Sequence, residues 1–194
     1  LLEELRQLPG PISKARQYHV RIGISAYDNS QPDLKRQLVE EAKAILESPN
    51  VHPLLRAMAL TAFTDTPEAQ MYVTQQPERL QAANLFTPIG QEAQMRWDFV
   101  RAQAFGIAGD NEALRLYDMA RRTATDLDFD CIFHLSNIQI CFLSTDLSVP
   151  DMLCEMQAIM DEAIKTRDVR AIDPGLYYLC ALYVQTEDFH SFVY

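Results

Sequence analysis

The sequence has no apolar run that reaches about 18 residues, the length that a membrane-spanning helix needs. It has no stretch in which apolar and polar residues alternate as they do in a half-buried strand, so no β-sheet is predicted. The segment 106–110 follows a helix and lacks a Gly-Lys-Ser/Thr triplet, which excludes a phosphate-binding loop. The first residues, Leu1 to Leu5, have neither an initiator Met nor the pattern of a signal peptide. These absences leave an all-α chain, and both of its ends look cut from something longer.

Basic residues are also in deficit. The 17 Lys and Arg residues face 27 Asp and Glu residues, which gives a formal net charge of -10. Residues 1–50 are neutral, whereas residues 101–194 hold 15 acids against 7 bases. Nucleic acid and anionic membranes both require a basic face, so neither is expected as a partner. The charge favours a basic peptide or protein segment, unless the acids only keep the surface soluble.

The four cysteines form no C-x-x-C pair. Cys131, Cys141, Cys154 and Cys180 all lie inside apolar helical runs, where small buried thiols are common. We therefore expect them to be buried and reduced, which is typical of a protein of the cytoplasm or nucleus.

Proline and turn-forming residues divide the chain into helical segments. Pro11, Pro32 and Pro53 are placed as first residues of helices, and Asp110 is placed to cap another. The predicted helices are, in order, 11–27, 32–47, 54–63, one that begins near 66, 77–86, 91–107, 111–123, 129–143, 150–166 and one that opens at 173.

A four-position signature recurs five times along these helices. Its first position, i, holds a bulky residue. Position i+3 holds a second bulky residue, position i+4 a small residue, and position i+7 a small or apolar residue. The instances are His19-Ile22-Gly23-Ala26, Leu55-Met58-Ala59-Ala62, Trp97-Val100-Arg101-Ala104, Ile132-Leu135-Ser136-Gln139 and Tyr177-Cys180-Ala181-Val184. The small positions are 36, 42, 35 and 45 residues apart, which is typical of stacked helical hairpins.

The chain resembles the tetratricopeptide-repeat superfamily in two of these units. The first unit continues from its signature to Val39, Ala42 and Pro49, and the third continues to Ala113, Tyr117 and Ala120. Arg101 departs from the pattern, since glycine or alanine is expected there. The resemblance implies a right-handed α-solenoid of about five stacked helical hairpins. Residues 1–194 would form one such segment of a longer chain, with further helices of that chain at one or both ends.

Three short motifs could carry chemistry, but each has a simpler structural interpretation. Cys131 and His134 lie one helical turn apart, yet a zinc site needs a second pair and a catalytic cysteine needs exposure. The acidic segment 126–130 lacks the central glycine and final glutamate of a calcium loop. No paired-carboxylate or Ser-His pattern is present. We therefore expect no metal, no cofactor and no enzymatic activity, with a helical enzyme as a minor alternative.

The predicted function is a protein–protein interaction module of a scaffold, adaptor or regulatory protein. In tetratricopeptide-like proteins the first helix of each hairpin lines a concave groove that binds a peptide or a partner helix. The resemblance therefore implies a binding role for Gln17, Arg21, Arg56, Asp98, Phe99, Phe105, His134, Asn137 and Tyr178. The alternative is a domain that responds to a peptide or small ligand and controls another domain.

Overall fold

The computed structural model describes residues 10–27, 32–60, 87–107 and 109–186. Within these ranges the chain forms eight α-helices and no β-strand, which confirms an all-α fold for this part of the protein. The helices are α1 (Pro11–Tyr27), α2 (Pro32–Glu47), α3 (Pro53–Leu60), α4 (Pro88–Ile107), α5 (Glu112–Asp126), α6 (Asp130–Leu143), α7 (Val149–Lys165) and α8 (Val169–Thr186). The predicted helices near 66 and at 77–86 lie outside the described residues. Across the described ranges, each helix is too short or too polar to span a bilayer.

The helix starts follow from proline and from small polar caps. Helices α1 to α4 each begin at a proline, whose missing N–H would have no partner in the first turn. Helix α4 begins three residues before the predicted Gln91, because Thr87 caps it: its Oγ1 accepts a hydrogen bond from Gly90 N at 3.1 Å. Asp110 Oδ1 accepts from Glu112 N at 2.9 Å, but the N-cap residue of α5 is Asn111, so Asp110 lies one position before the cap.

Three helix ends share one turn geometry. Gly109, Asp128 and Arg167 have φ values of 71°, 55° and 58°, which place them in the left-handed region. The residue after each donates its backbone N–H to a carbonyl five positions earlier, at 3.0, 2.8 and 2.8 Å. This hydrogen bond satisfies a carbonyl at the end of α4, α5 and α7 and reverses the chain direction. Each of these helices is followed at once by the next, which explains why the helices pack as close neighbours.

The helices pack in chain order, and some also touch the next helix but one. Contacts join α1 with α2 and α3, α3 with α2 and α4, and α4 with α5 and α6. Helix α6 in turn contacts α5, α7 and α8, and α7 contacts α8. Three apolar clusters result, centred on Trp97, on Tyr117 and on Met160. Each cluster is built from helices close in sequence, so the core extends along the chain.

The signature positions have different environments. Ala59 and Ser136 are fully buried, as expected for small residues at helix contacts. Arg101 is half-buried with its guanidinium 5.7 Å from the centre of the Phe105 ring, which agrees with the stem-outward arrangement that an Arg needs here. Ala181 is also only half-buried. The surroundings of Gly23 lie outside the described part of the chain.

Helix α8 differs most from its prediction. It begins at Val169 instead of Asp173, and Pro174 lies inside it. The helix begins before the proline, because the Asp168 carbonyl accepts hydrogen bonds from Ala171 N and Ile172 N, each at 3.0 Å. Pro174 has no backbone N–H and donates no hydrogen bond within the helix. The next residue, Gly175, is fully packed: an added Cβ would lie 2.0 Å from Met160 Sδ. In sequence a Pro-Gly pair suggests a turn. Here the pair lies inside a helix, and its glycine allows close contact with Met160 of α7.

Candidate functional site

An open-sided pocket of about 290 Å³ lies where α4, α5, α6 and α8 meet. Its lining combines aromatic and aliphatic surface with two amide side chains. The lining residues are Gln103, Gly106, Tyr117, Gln139, Phe142, Leu143 and Tyr178. None of them is charged, so the pocket presents hydrogen-bonding groups on an otherwise apolar wall.

The pairing of Gln139 with Tyr178 fixes one side of the pocket. Gln139 Nε2 donates to the Tyr178 hydroxyl at 2.9 Å, and that hydroxyl lies 3.3 Å from Gln139 Oε1. The Tyr178 ring packs on Phe142 with ring centres 4.3 Å apart. These contacts hold α8 against α6, so this side of the pocket is already formed without a ligand.

Gln103 is the second amide side chain of the pocket lining. Its Oε1 atom is buried and has no hydrogen-bond partner among the described residues. A buried carbonyl oxygen without a partner costs about 1–3 kcal/mol, which a ligand N–H or O–H would recover. Tyr117 lies close to Gly106, and burial raises the pKa of its hydroxyl, so the phenol stays neutral. The pocket lining therefore includes a residue with an unpaired carbonyl oxygen beside neutral aromatic groups.

The predicted binding residues of the first repeats contact their own or neighbouring helices. Gln17 Nε2 donates to Ser13 Oγ at 3.1 Å within α1. Arg21 forms an ion pair with Glu41 Oε2 of α2 at 2.6 Å. Arg56 is buried and donates to the Ser48 carbonyl at 2.7 Å, just after the end of α2. These contacts connect α1 and α3 to α2.

The predicted residues on α4 are mainly internal. Asp98 is 3% exposed and accepts from Gln94 Nε2 at 2.9 Å, and burial raises its pKa. Phe99 packs edge-on against Tyr117 with ring centres 5.6 Å apart. Phe105 is half-buried beneath the Arg101 guanidinium.

The predicted residues on α6 and α8 have three different environments. His134 is buried, with Nδ1 2.9 Å from Asp168 Oδ2. Asn137 Oδ1 lies 3.5 Å from an Arg121 nitrogen of α5. Tyr178 alone among the nine predicted residues lines the pocket. A binding role for all nine stays a prediction.

Gln103, Gln139 and Phe142 were not among the predicted binding residues. One signal was present in the sequence: Gln139 occupies a signature position that should be small or apolar. A polar amide there would be costly on a closely packed helix face unless it had a partner. Gln103 had no comparable signal, because only the packing of four helices brings it to the pocket.

All four cysteines were predicted to be buried, and one of them is fully buried. Cys141 is buried and Cys131 and Cys180 are half-buried, but Cys154 is exposed. Cys154 lies away from Met156 and Met160, which form the buried face of α7. Burial raises the pKa of the Cys131 thiol to about 11, so it is protonated at neutral pH. The described residues contain no group of three His, Cys, Asp or Glu side chains that could hold a metal ion.

No protein-family model, curated protein or solved structure matches this chain.

Proposed function

We propose that this chain is a non-enzymatic protein–protein interaction module of a scaffold, adaptor or regulatory protein. The observation that carries the proposal is the pocket at α4, α5, α6 and α8, with its unused Gln103 oxygen and its Gln139–Tyr178 pair. We propose that it receives one side chain of an extended peptide or a partner helix.

The contacts between neighbouring helices support this function. Contacts between α1 and α3, between α4 and α6, and between α6 and α8 are those that the first helices of successive hairpins make in a right-handed α-solenoid. We propose this tetratricopeptide-like arrangement for the whole chain. In such an arrangement α4, α6 and α8 would line one continuous surface, and Gln103, Gln139 and Tyr178 would lie along it.

The chemistry of the pocket limits its occupant. A volume of about 290 Å³ lies at the lower end of the range of roughly 300–1,000 Å³ for small-molecule sites, which suits a single side chain better than a large cofactor. Gln103 requires a donor, and the uncharged lining disfavours a buried full charge. We therefore propose a neutral side chain with an N–H or O–H donor on an apolar body. The acidic surface outside the pocket would attract basic residues that flank it.

A peptide selection against the 194-residue chain tests the proposal, followed by measurement of Kd for the selected peptides. Gln103→Leu removes the unused acceptor with little change in volume, and Tyr178→Phe removes the hydroxyl. Each variant should weaken binding about tenfold or more, as expected when a buried hydrogen-bonding group at the centre of an interface is lost. Gln103→Leu should also leave stability unchanged or slightly raised.

A matched control is available on α7 and α8. Gln157 Nε2 donates to the Tyr183 hydroxyl on an exposed surface, which is the same type of pair outside the pocket. Tyr183→Phe should leave peptide affinity within about twofold. If Tyr178→Phe and Tyr183→Phe have equal effects, the pocket is not the binding site. If no peptide is selected but free small molecules raise the melting temperature, a ligand-responsive regulatory domain is the better interpretation.

A further inference from the structure

A second polar feature lies apart from the pocket and shares no residue with it. We call it the arginine cluster, and it consists of Arg16 and His19 of α1, Glu92 and Arg96 of α4, and Arg170 of α8. These residues come from three helices and span more than 150 positions of the sequence. Arg16 donates through both terminal nitrogens to the two carboxylate oxygens of Glu92.

The cluster has an excess of positive charge in a chain that is strongly acidic. The cluster holds three guanidinium groups and one carboxylate, that of Glu92, which bonds Arg16 and also accepts from Arg96 Nε at 2.9 Å. Arg170 contacts His19 instead. The nearby carboxylate of Asp168 is engaged with His134 at 2.9 Å. Both oxygens of Glu92 are therefore in use. With Asp168 counted, the two carboxylates balance two of the three guanidinium charges, so about one positive charge remains in excess among the described residues.

Arg96 is the central donor of the cluster. It is only 4% exposed, and its guanidinium lies 4.7 Å from the centre of the Phe129 ring. Only Nε has a hydrogen-bond partner among the described residues, so the two terminal nitrogens have none. A buried guanidinium with unused N–H groups is costly, because water can no longer hydrate it fully. Burial accordingly lowers the pKa of Arg96.

His19 contributes another unused donor. Its Nε2 atom lies 2.6 Å from a terminal nitrogen of Arg170, which can only donate, so Nε2 accepts and the ring proton is on Nδ1. Nδ1 is buried and has no partner within the described ranges. Burial and the charges of Arg96, Arg170 and Arg16 lower the pKa of His19 to about 3, which keeps the ring neutral. Every open group of the cluster is thus a hydrogen-bond donor.

We infer that the arginine cluster is a binding site for a phosphate group. Arg96 and the exposed Arg170 both act on His19 and on the Cys131 thiol, so their charges lie in the same neighbourhood. A phosphate can accept from the two guanidinium groups with separate oxygens. A phosphate monoester carries a charge of about −1.5 to −2 at neutral pH, which offsets the excess positive charge of the cluster. A carboxylate has only two oxygens, so it would leave some of the unused N–H donors unsatisfied. Guanidinium groups are also the usual partners of phosphate in proteins.

Calorimetric titration of the 194-residue chain with inorganic phosphate, O-phosphoserine and acetate at equal ionic strength tests the inference. Inorganic phosphate and O-phosphoserine should bind, and acetate should bind at least about tenfold more weakly. Stronger binding of O-phosphoserine would indicate a phosphorylated side chain as the natural ligand, and stronger binding of inorganic phosphate a free phosphate or a small phosphate ester. Equal binding of phosphate and acetate, or none of either, would overturn the inference.

Arg170→Gln is the informative variant, because Arg170 is exposed and its loss should not unfold the protein. Loss of one charge-assisted hydrogen bond should weaken phosphate binding about 10- to 100-fold. Arg167→Gln is the matched control: it makes the same charge change on an exposed residue of the turn before α8. Equal weakening by the two variants would show only nonspecific attraction and would refute a built site.

Arg96→Gln gives a second measurement inside the cluster, with circular dichroism to verify its fold. A folded Arg96→Gln protein should bind phosphate at least about tenfold more weakly, and retained affinity would contradict the inference. If this variant does not fold, the result with Arg170→Gln decides. Gln103→Leu should leave phosphate binding unchanged, so failure of the peptide-binding proposal and failure of the phosphate site can be told apart.

Discussion

The neutral state of His19 makes the stability of this protein depend on pH in a way that one substitution can isolate. In the folded chain, burial and three nearby guanidinium groups lower the pKa of His19 from 6.5 to about 3. In the unfolded chain the ring regains its ordinary pKa. Between these two values the unfolded state binds a proton that the folded state does not, so stability falls as the pH falls from about 6.5 towards 3.

The size of the effect follows from this difference. For an unfolded pKa of 6.5 and a folded pKa well below 5, proton uptake by the unfolded chain lowers the free energy of unfolding by about 2 kcal/mol between pH 7 and pH 5. His19→Gln keeps a side chain that can accept from Arg170 and removes the titration. The wild-type protein should therefore lose about 2 kcal/mol more than His19→Gln over this range, while all other groups cancel in the comparison.

Urea unfolding in phosphate-free buffer measures the difference. The single tryptophan, Trp97, is 2% exposed, so its fluorescence should report loss of the packed state. Equal losses of stability in the two proteins would refute the reasoning. That result would mean that His19 is protonated in the folded state, and that Arg170 is therefore not its hydrogen-bond donor.

Three further predictions concern packing and charge. Gly175→Ala should destabilise the protein by about 1 kcal/mol or more in urea unfolding, because the new Cβ overlaps the buried Met160 side chain. Gly106→Ala should stabilise it by up to about 1 kcal/mol, because the added Cβ there makes ordinary contacts. A more stable Gly175→Ala than Gly106→Ala protein would contradict the helix packing. Ala59→Leu should cost about 1–3 kcal/mol in the same assay, since Ala59 is fully buried, and an unchanged midpoint would show that the contact at 59 is loose. If the partner is basic, replacement of the exposed Glu155 and Asp161 by Lys should weaken its binding and reduce the salt dependence of the affinity. Equal affinity of the wild-type protein at about 50 and about 500 mM salt would exclude an electrostatic contribution.

The helices could be predicted from the sequence because their starts depend on local chemistry. Pro11, Pro32 and Pro53 each begin a helix as predicted, since a proline at the first position needs no neighbour from elsewhere in the chain. The start of α8 was wrong for a related reason: a Pro-Gly pair usually marks a turn, and only contact with Met160 explains Gly175 inside a helix. Local sequence signals therefore predict where a helix lies. They fail to predict its bounds where a residue such as Gly175 is explained by a contact with another helix.

The polar sites depend on rotation about the helix axis, which periodicity determines poorly. One residue corresponds to about 100° around an α-helix, so an error of one position moves a side chain from a groove into the core. Asp98 and Phe99 illustrate this: they were predicted to line a groove and are 3% and 8% exposed. The arginine cluster left only a weak trace, in the form of Glu92 and Arg96 one turn apart on α4. Two charges one turn apart on a buried helix must have partners: here they pair with each other, and Glu92 gains a second partner, Arg16, from α1. Buried polar groups without a partner among the described residues, such as His19 Nδ1 and Gln103 Oε1, become visible only once the helices are packed.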